Sequence, residues 1–303
     1  MPNYVLHGSF QLPDMHSSSI FDELPDGRLV AWNGEHLFIE TALGSRRFLP
    51  IADAQGQYPS FLRVSPSGER IALGDGTTIR TILRDDPAVQ TEVQFQNYDA
   101  EWIDEERLAV TGSHQGSIAY VLLPENGDIG VMCINIGSAS GGVTLDSARN
   151  LYLGDGYDPA HPDDTGFVKA FTEAEWQSAL DTSLPLDFKA SGVLVADLLS
   201  AAYLGFDAEG NLHVGGGNSL VQPPEVGYAA VADRNAVAGA LTGGREVDDQ
   251  LPSYVVQRLD PKPGAQQSWH MSSNWITGEL YVTAYGESTV YVYLPLRGLS
   301  NSD

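Results

Sequence analysis

Aspartate, histidine and tyrosine side chains recur in this 303-residue chain next to short apolar segments, where they could act on a bound molecule. We select Asp99 and His270 as a catalytic pair, with His114 as the third candidate. Imidazole titrates near neutral pH and a carboxylate can orient it, so these groups could transfer protons. The sequence therefore predicts general acid–base chemistry.

A second set of polar and aromatic residues occupies equivalent places along the chain and is predicted to contact the ligand. The set comprises Tyr98, Tyr157, Trp269, Ser60, Asp75, Asp155 and His16. Asp75 and Asp155 also stand in Gly-Asp-Gly turns, where a carboxylate can instead accept hydrogen bonds from turn amides. The elements that carry these residues decide whether they meet.

Acidic residues crowd the segment 155–164, which contains Asp155, Asp158, His161, Asp163 and Asp164. Their spacing matches neither an EF-hand loop nor a zinc pattern, so we interpret the segment as a solvated acidic loop. A Gly-x-Ser-x-Gly elbow and a phosphate-binding loop are also missing from the sequence. We therefore predict neither a metal nor a cofactor.

A turn followed by an alternating strand recurs six times and supplies the framework for these residues. Its first apolar residues are Leu29, Ile71, Leu108, Leu151, Leu212 and Leu280. The first three spacings are 42, 37 and 43 residues, and the last two are 61 and 68. Repeats of about 40 residues made of short alternating strands are typical of β-propellers. The chain is predicted to be all-β, a six-bladed β-propeller in a single domain over 1–303, with insertions at about 157–200 and 218–266.

The two ends of the chain are predicted to meet in the last blade. Only 23 residues follow Leu280, enough for two strands, and the segment from Tyr4 to Leu12 can supply another. Because an unpaired edge strand is a liability, we expect the last blade to be closed by the N-terminal strand. Helices are predicted within the insertions, at 172–180, where Thr172 and Glu175 match a capping box, and at 229–241.

In a propeller of this topology the innermost strands begin on the same face as the loops between second and third strands. We call this the upper face, and the face where the innermost strands end the lower face. The candidate residues above map to the upper face. Four of the seven histidines also map there, namely His16, His114, His161 and His270. Small residues at the strand starts, Ser60, Gly141, Gly142 and Ala202, predict an open upper mouth of the central tunnel.

The segments 206–214 (FDAEGNLHV) and 145–153 (LDSARNLYL) resemble the blade signature of NHL-repeat and SMP-30 (gluconolactonase-like) propellers. For lactonases of the SMP-30 type, the resemblance implies a divalent metal bound by Glu, two Asn and Asp where innermost strands begin. The equivalent positions here are Ser18 or Ser19, Ser60, Asp99, Gly141, Ala202, and His270 or Met271. Asp99 is the single charged oxygen ligand among them, so the SMP-30 metal ligands are largely missing.

Composition limits the partners and the compartment. The net charge of −24, from 40 acidic and 16 basic residues, opposes binding to nucleic acids and to anionic membranes. The chain has no long apolar run and no recognisable signal peptide, and its single cysteine, Cys133, forms no disulfide framework. We expect a cytoplasmic protein.

These observations predict a small-molecule-binding propeller that acts as a metal-independent lyase, cyclase or isomerase. Asp, His and Tyr side chains at the mouth of the central tunnel would carry the reaction. One alternative is a non-catalytic scaffold that binds a protein partner through the inserted segments. The other is an SMP-30-like, metal-dependent lactonase or hydrolase.

Overall fold

The computed structural model describes residues 3–13, 20–56, 59–112, 118–124, 132–137, 140–156, 166–198, 201–216, 227–248, 250–253, 255–259, 269–284 and 287–296. Within them, six β-sheets are arranged as the blades of a β-propeller. The all-β class and the six-bladed architecture predicted from the repeats are confirmed.

The chain begins with β1 (Tyr4–Gln11). Blade 1 then contains β2 (Ile20–Glu23), β3 (Leu29–Trp32), β4 (His36–Glu40) and β5 (Phe48–Asp53). Blade 2 contains β6 (Phe61–Val64), β7 (Arg70–Gly74), β8 (Thr78–Leu83) and β9 (Asp86–Gln94). Blade 3 contains β10 (Asp99–Trp102), β11 (Leu108–Thr111), β12 (Ile118–Leu122) and β13 (Met132–Asn135).

The later blades include short helices. Blade 4 is formed by β14 (Ser140–Leu145), β15 (Leu151–Asp155), β16 (Phe167–Phe171) and, after α1 (Glu173–Thr182) and β17 (Leu186–Asp187), β18 (Val193–Asp197). Blade 5 is formed by β19 (Ala201–Phe206), β20 (Leu212–Gly216), β21 (Tyr228–Ala232) and, after α2 (Arg234–Leu241) and β22 (Val247–Asp248), β23 (Val256–Leu259). Blade 6 contains β24 (Trp269–Ser273), β25 (Leu280–Ala284) and β26 (Thr289–Pro295).

The recurring phrase forms the turn and second strand of each blade. Leu29, for example, is fully buried and pairs with Glu23 at the end of the innermost strand. The turn before it requires a left-handed residue, which is Gly27 in blade 1 (φ 82°) and Arg149 in blade 4 (φ 62°). Because successive side chains alternate between the two faces of each sheet, both faces carry apolar residues that pack between blades.

The N-terminal strand closes the propeller, as predicted. β1 pairs antiparallel with β26, from Tyr4 opposite Pro295 to Gln11 opposite Thr289. The order of the last sheet is therefore β1, β26, β25, β24, with the N-terminal strand outermost. This pairing covers the edge of β26 and joins the two ends of the chain.

Both insertions carry a helix and add a strand to the preceding blade. α1 has the predicted capping box, in which Thr172 and Glu175 bond each other's backbone amides. The helix predicted at 229–241 is wrong in its first part, because residues up to Ala232 pair with β20 and β23. Asp233 caps α2 instead. β17 pairs with β13 of blade 3, and β22 pairs with β18 of blade 4.

Candidate functional site

Six equivalent residues surround the axis near the lower face. Each is the penultimate residue of an innermost strand, and all six line one cavity. We call this set the lower ring, and it consists of Asp22, Arg63, Glu101, Thr144, Gly205 and Ser272. The propeller repeat therefore brings charged side chains from blades 1, 2 and 3 to one place.

The cavity below this ring has a volume of about 530 Å³. It is bounded by the ends of the innermost strands and by the turns that follow them. Its apolar wall includes Leu24, Trp102, Leu204, Phe206, Met271, Trp275 and Ile276. An apolar cavity of this size with a few convergent polar groups is typical of small-molecule sites.

Arg63 is the cation of the lower ring and is held in place by blade 3. Its Nη2 donates to Oδ1 of Asp99 at 2.8 Å, and its Nε donates to the Ala100 carbonyl. The other Asp99 oxygen accepts from the Val143 amide at 3.1 Å. Both side chains are buried, so the pair links blades 2, 3 and 4 through charge-assisted bonds.

Glu101 faces the same cavity one position below Asp99 on that side of β10. One carboxylate oxygen accepts from the Trp102 amide at 3.1 Å, and Thr144 contacts the other at 3.4 Å. Burial raises the pKa of Glu101 to about 7, and the charges of Asp22 and Asp99 add to this while Arg63 opposes it. A carboxyl group with this pKa can accept and donate protons near neutral pH.

Asp22 and Glu23 are the acidic residues of blade 1 that line the cavity. Asp22 accepts a hydrogen bond from the Val64 amide at 2.7 Å, and burial raises its pKa. Burial also raises the pKa of Glu23 well above its ordinary value, and the Asp22 and Glu279 charges contribute. The Trp275 amide donates to the Glu23 carboxylate. The Oε1 atom of Glu23, however, is buried and has no hydrogen-bond partner. Such an acceptor is costly to leave unsatisfied.

His213 reaches the cavity from the second strand of blade 5 and is 1% exposed. It pairs with Gly205, which has no side chain, and a Cβ placed on Gly205 would meet nothing within 4 Å. The imidazole therefore forms the wall where the glycine leaves space. Its Nε2 lies 3.8 Å from Oδ2 of Asp207, and neither ring nitrogen has a hydrogen-bond partner.

Asp207 is held by several groups behind His213. It accepts from the Tyr4 hydroxyl at 2.8 Å and from the Asn211 amide group at 2.7 Å. Although burial acts in the opposite sense, the nearby His213 and Asn211 side chains hold the pKa of Asp207 below its usual range. Asp207 is thus an ionised neighbour of the imidazole that is held by hydrogen bonds.

Trp275 stands at the rim of the cavity and is 63% exposed. It lies in the turn between β24 and β25, where Asn274 Oδ1 accepts from the Ile276 and Thr277 amides. Asn274 also donates to the Gly27 carbonyl of blade 1 at 2.7 Å. These bonds define the turn, which places the Trp275 side chain at the rim of the cavity that Glu23 also lines.

The predicted pair Asp99 and His270 lies one layer above this cavity, and neither residue lines it. Asp99 is engaged by Arg63 and the Val143 amide, as described above. His270 Nε2 lies 3.1 Å from the Phe21 carbonyl, and the ring packs edge-on against Phe21 and Tyr203. Burial is the main cause that lowers the pKa of His270 to about 3. Their catalytic roles stay predictions.

The predicted ligand-contacting residues occupy several places on the upper side. Tyr98 stacks on Tyr203, with ring centroids 6.0 Å apart, and Ser60 donates to the Asn97 side chain. Asp75 accepts from the Thr77 and Thr78 amides of its own turn, as in the turn interpretation. Asp155 instead accepts from the Gly166 amide, which lies outside its Gly-Asp-Gly turn. Trp269 begins β24. His16, His114 and Tyr157 lie outside the described residues.

The glycines near the upper face serve a different purpose from the one we predicted. A Cβ on Gly142 would lie 2.6 Å from the Leu204 amide nitrogen, and one on Gly141 would collide with the Ala201 carbonyl. These residues let β14 approach β19 closely instead of leaving the tunnel open. Ala202 is likewise 3% exposed. The cavity described above is lined by the lower ends of the innermost strands and by the turns after them.

Comparison with known proteins identifies no family for this chain. No protein-family model matches the chain, and no curated protein matches it. The likeness of its repeat phrases to NHL and SMP-30 propellers thus stays a prediction. Within the described residues, no group of three or more His, Cys, Asp or Glu side chains could hold a metal ion, and no helix could span a membrane.

Proposed function

We propose that this propeller is an acid–base enzyme of the lyase, cyclase or isomerase type that acts on a small molecule in the lower cavity. The observation that carries the proposal is the position of Glu101, which faces a cavity of small-molecule size next to Arg63. In this proposal the site predicted at the upper mouth moves to the opposite end of the axis.

Glu101 is the proton-transfer group. Its pKa of about 7 balances the two protonation states at neutral pH, which is the condition under which a general acid or base is most effective. Burial keeps the carboxylate poorly solvated, so its proton affinity stays high when substrate excludes water.

Arg63 and His213 complete the proposed chemistry. The guanidinium lines the cavity and can stabilise the negative charge that develops when Glu101 removes a proton next to a carbonyl group. His213, backed by Asp207, can return a proton from the blade 5 side. A removal and return of this kind produces an isomerisation, and loss of a leaving group instead produces an elimination.

The positions that would hold a metal in an SMP-30-type lactonase support a reaction without one. Ser60 bonds Asn97 at one of them, and small residues fill others, Gly141 and Ala202. The acid and base proposed here are amino-acid side chains that already meet at one cavity.

The proposal is tested by exposing purified protein to a pool of soluble metabolites and following each compound by mass spectrometry. Glu101→Gln keeps the shape of the side chain but removes its proton chemistry. The control is Glu106→Gln, an exposed glutamate after the same strand. We expect the unmodified protein and the control to consume the same compound, and Glu101→Gln to do so at least about 100-fold more slowly.

Equal consumption by Glu101→Gln would contradict the proposal, as would a protein that changes no compound in a broad pool. Circular dichroism and thermal unfolding of each variant show that the fold is intact. Because burial disfavours the charged form of Glu101, a neutral glutamine should be tolerated there.

A further inference from the structure

We propose that the ligand of the lower cavity carries a protonated amine, which binds the Glu23 carboxylate beside the Trp275 indole. This inference rests on the proposed function for the cavity, and it names the chemical class of the molecule. It depends on three features of the cavity rim and wall.

The first feature is the unsatisfied acceptor of Glu23. Its Oε1 is buried and has no hydrogen-bond partner, while the Trp275 amide bonds the carboxylate from the other side. Glu23 lines the cavity, so this oxygen can accept one donor from a ligand there once the carboxylate turns towards it. An ammonium group supplies up to three N–H donors and a positive charge in one small unit.

The second feature is the balance of charge around that oxygen. Asp22 and Glu279 are its nearest carboxylates. The nearest cation, Arg46, lies 2.9 Å from Glu279 and 3.7 Å from Glu40 and is therefore shared. In the neighbouring blade 2, Arg63 is already paired with Asp99. An added cation at Glu23 would relieve the repulsion between Glu23 and Asp22.

The third feature is an independent group that also lacks a donor. The buried His213 imidazole lines the same cavity, and neither of its ring nitrogens has a hydrogen-bond partner. Asp207 lies 3.8 Å from Nε2, so when the ring is neutral Nδ1 is the nitrogen left to accept from a ligand N–H. Glu23 and His213 therefore present acceptors without donors on two walls of the cavity, which favours a ligand that carries several N–H groups.

The apolar wall indicates what the amine is attached to. Trp275 is 63% exposed and Ile276 is 60% exposed at the rim, while Phe206, Leu204 and Met271 line the interior. An exposed indole next to a carboxylate attracts organic cations through its ring face. The ligand class is therefore a primary or secondary ammonium on an aromatic or aliphatic body that fits within about 530 Å³.

The probe pair for the test is benzylammonium and its neutral counterpart benzyl alcohol, measured by isothermal titration calorimetry on the full chain. We expect the ammonium to bind and the alcohol to bind at least about tenfold more weakly, because a charge-assisted hydrogen bond is lost. An alcohol that binds as well as the ammonium, or an ammonium that does not bind at all, would overturn the inference.

Two substitutions test where benzylammonium binds in the cavity. Glu23→Gln should weaken benzylammonium binding at least about tenfold, and Trp275→Ala should weaken it about fivefold through loss of the ring face. Glu106→Gln is the matched control and should bind like the unmodified protein. Trp275 is exposed, so its replacement tests the site even if Glu23→Gln fails to fold. Retained binding in the folded variants contradicts the placement.

A pH series adds an independent test. Glu23 faces Asp22, Glu279, Arg46 and the Trp275 amide, and burial keeps its pKa above the ordinary value. Alkylammonium probes stay protonated below about pH 9, so affinity should rise with pH as Glu23 ionises. Affinity that is flat or falls between about pH 5 and about pH 8 would count against Glu23 as the partner.

The two proposals can fail separately. If Glu101→Gln abolishes consumption of a neutral metabolite and benzylammonium does not bind, the enzyme proposal stands and the amine inference falls. If benzylammonium binds in a Glu23-dependent way but Glu101→Gln leaves metabolite consumption unchanged, the amine site stands and the acid–base role of Glu101 falls.

Discussion

Gly205 and His213 lie opposite each other in neighbouring strands of blade 5, and the missing side chain of Gly205 makes the buried imidazole a wall of the axial cavity. A Cβ at position 205 would meet nothing within 4 Å, so a side chain there would begin in open space. This single glycine therefore decides both the size of the cavity and the access to His213.

Filling that space should close the site without harming the fold. Gly205→Leu is expected to abolish benzylammonium binding and metabolite consumption, while the melting temperature stays within about 4 °C, since a Cβ at this position contacts no neighbour. The control is Gly8→Leu, because a Cβ there also meets nothing within 4 Å. Calorimetry and thermal unfolding measure the two effects, and undiminished binding in Gly205→Leu would place the ligand elsewhere.

The Arg63–Asp99 pair should be important for stability because both partners are buried. Arg63→Met leaves the Asp99 charge without its cation and should lower the free energy of unfolding by about 3–5 kcal/mol in urea titrations. Arg63→Met combined with Asp99→Asn should recover part of this loss. Arg84→Met breaks an ion pair whose Asp85 partner is exposed and should cost much less stability than Arg63→Met. Equal costs at both sites would contradict the buried-pair argument.

Glu101 should make stability depend on pH in a defined direction. Its folded pKa of about 7 exceeds the unfolded value, so the folded protein holds more protons between the two. The favourable contribution is present below about 4.5 and is lost as pH rises through about 7. The melting temperature of Glu101→Gln should therefore rise relative to that of the unmodified protein between about pH 5 and about pH 8. A parallel pair of curves would mean that the pKa is not raised.

The fold could be predicted largely from the sequence because the turn and the alternating strand after it recur in every blade. Each blade has a turn and an apolar second strand, and six copies gave the count and the strand positions. The second helix was predicted to begin too early because Ala229 to Ala232 suit a helix in isolation. Pairing with β20 and β23 overrides this preference, and Asp233 starts the helix.

The site could be predicted much less well. The candidates predicted from the sequence lie mostly in loops and at strand starts. Arg63 and Glu101, by contrast, are single charged residues inside short apolar strands, and only the packing of the blades brings them to one cavity. Their signal is the repeat itself, because a charged residue recurs at the penultimate position of the first three innermost strands. His213 is a single histidine within a short strand, and its access to the cavity depends on Gly205 in another strand.

The N-terminal closure yields a further prediction. Tyr4 donates to Asp207 at 2.8 Å and its amide bonds Gln257, so β1 also holds the groups behind His213. Tyr4→Phe should lower the free energy of unfolding by about 1–2 kcal/mol in urea titrations, because a charged acceptor loses a buried donor.

Removing residues 1–12 exposes the edge of β26 and should cause association in size-exclusion chromatography. A monomeric truncated protein of unchanged stability would contradict the closing role of β1.

The central claim is that Glu101 is a proton-transfer group at neutral pH, and its titration tests this most directly. Carbon-13 NMR of the glutamate carboxyl groups, assigned by comparison with Glu101→Gln, follows the Glu101 resonance across pH. We predict a midpoint at about 7, because burial and the neighbouring Asp22 and Asp99 charges outweigh Arg63. A midpoint near the ordinary value of 4.5 would contradict the account.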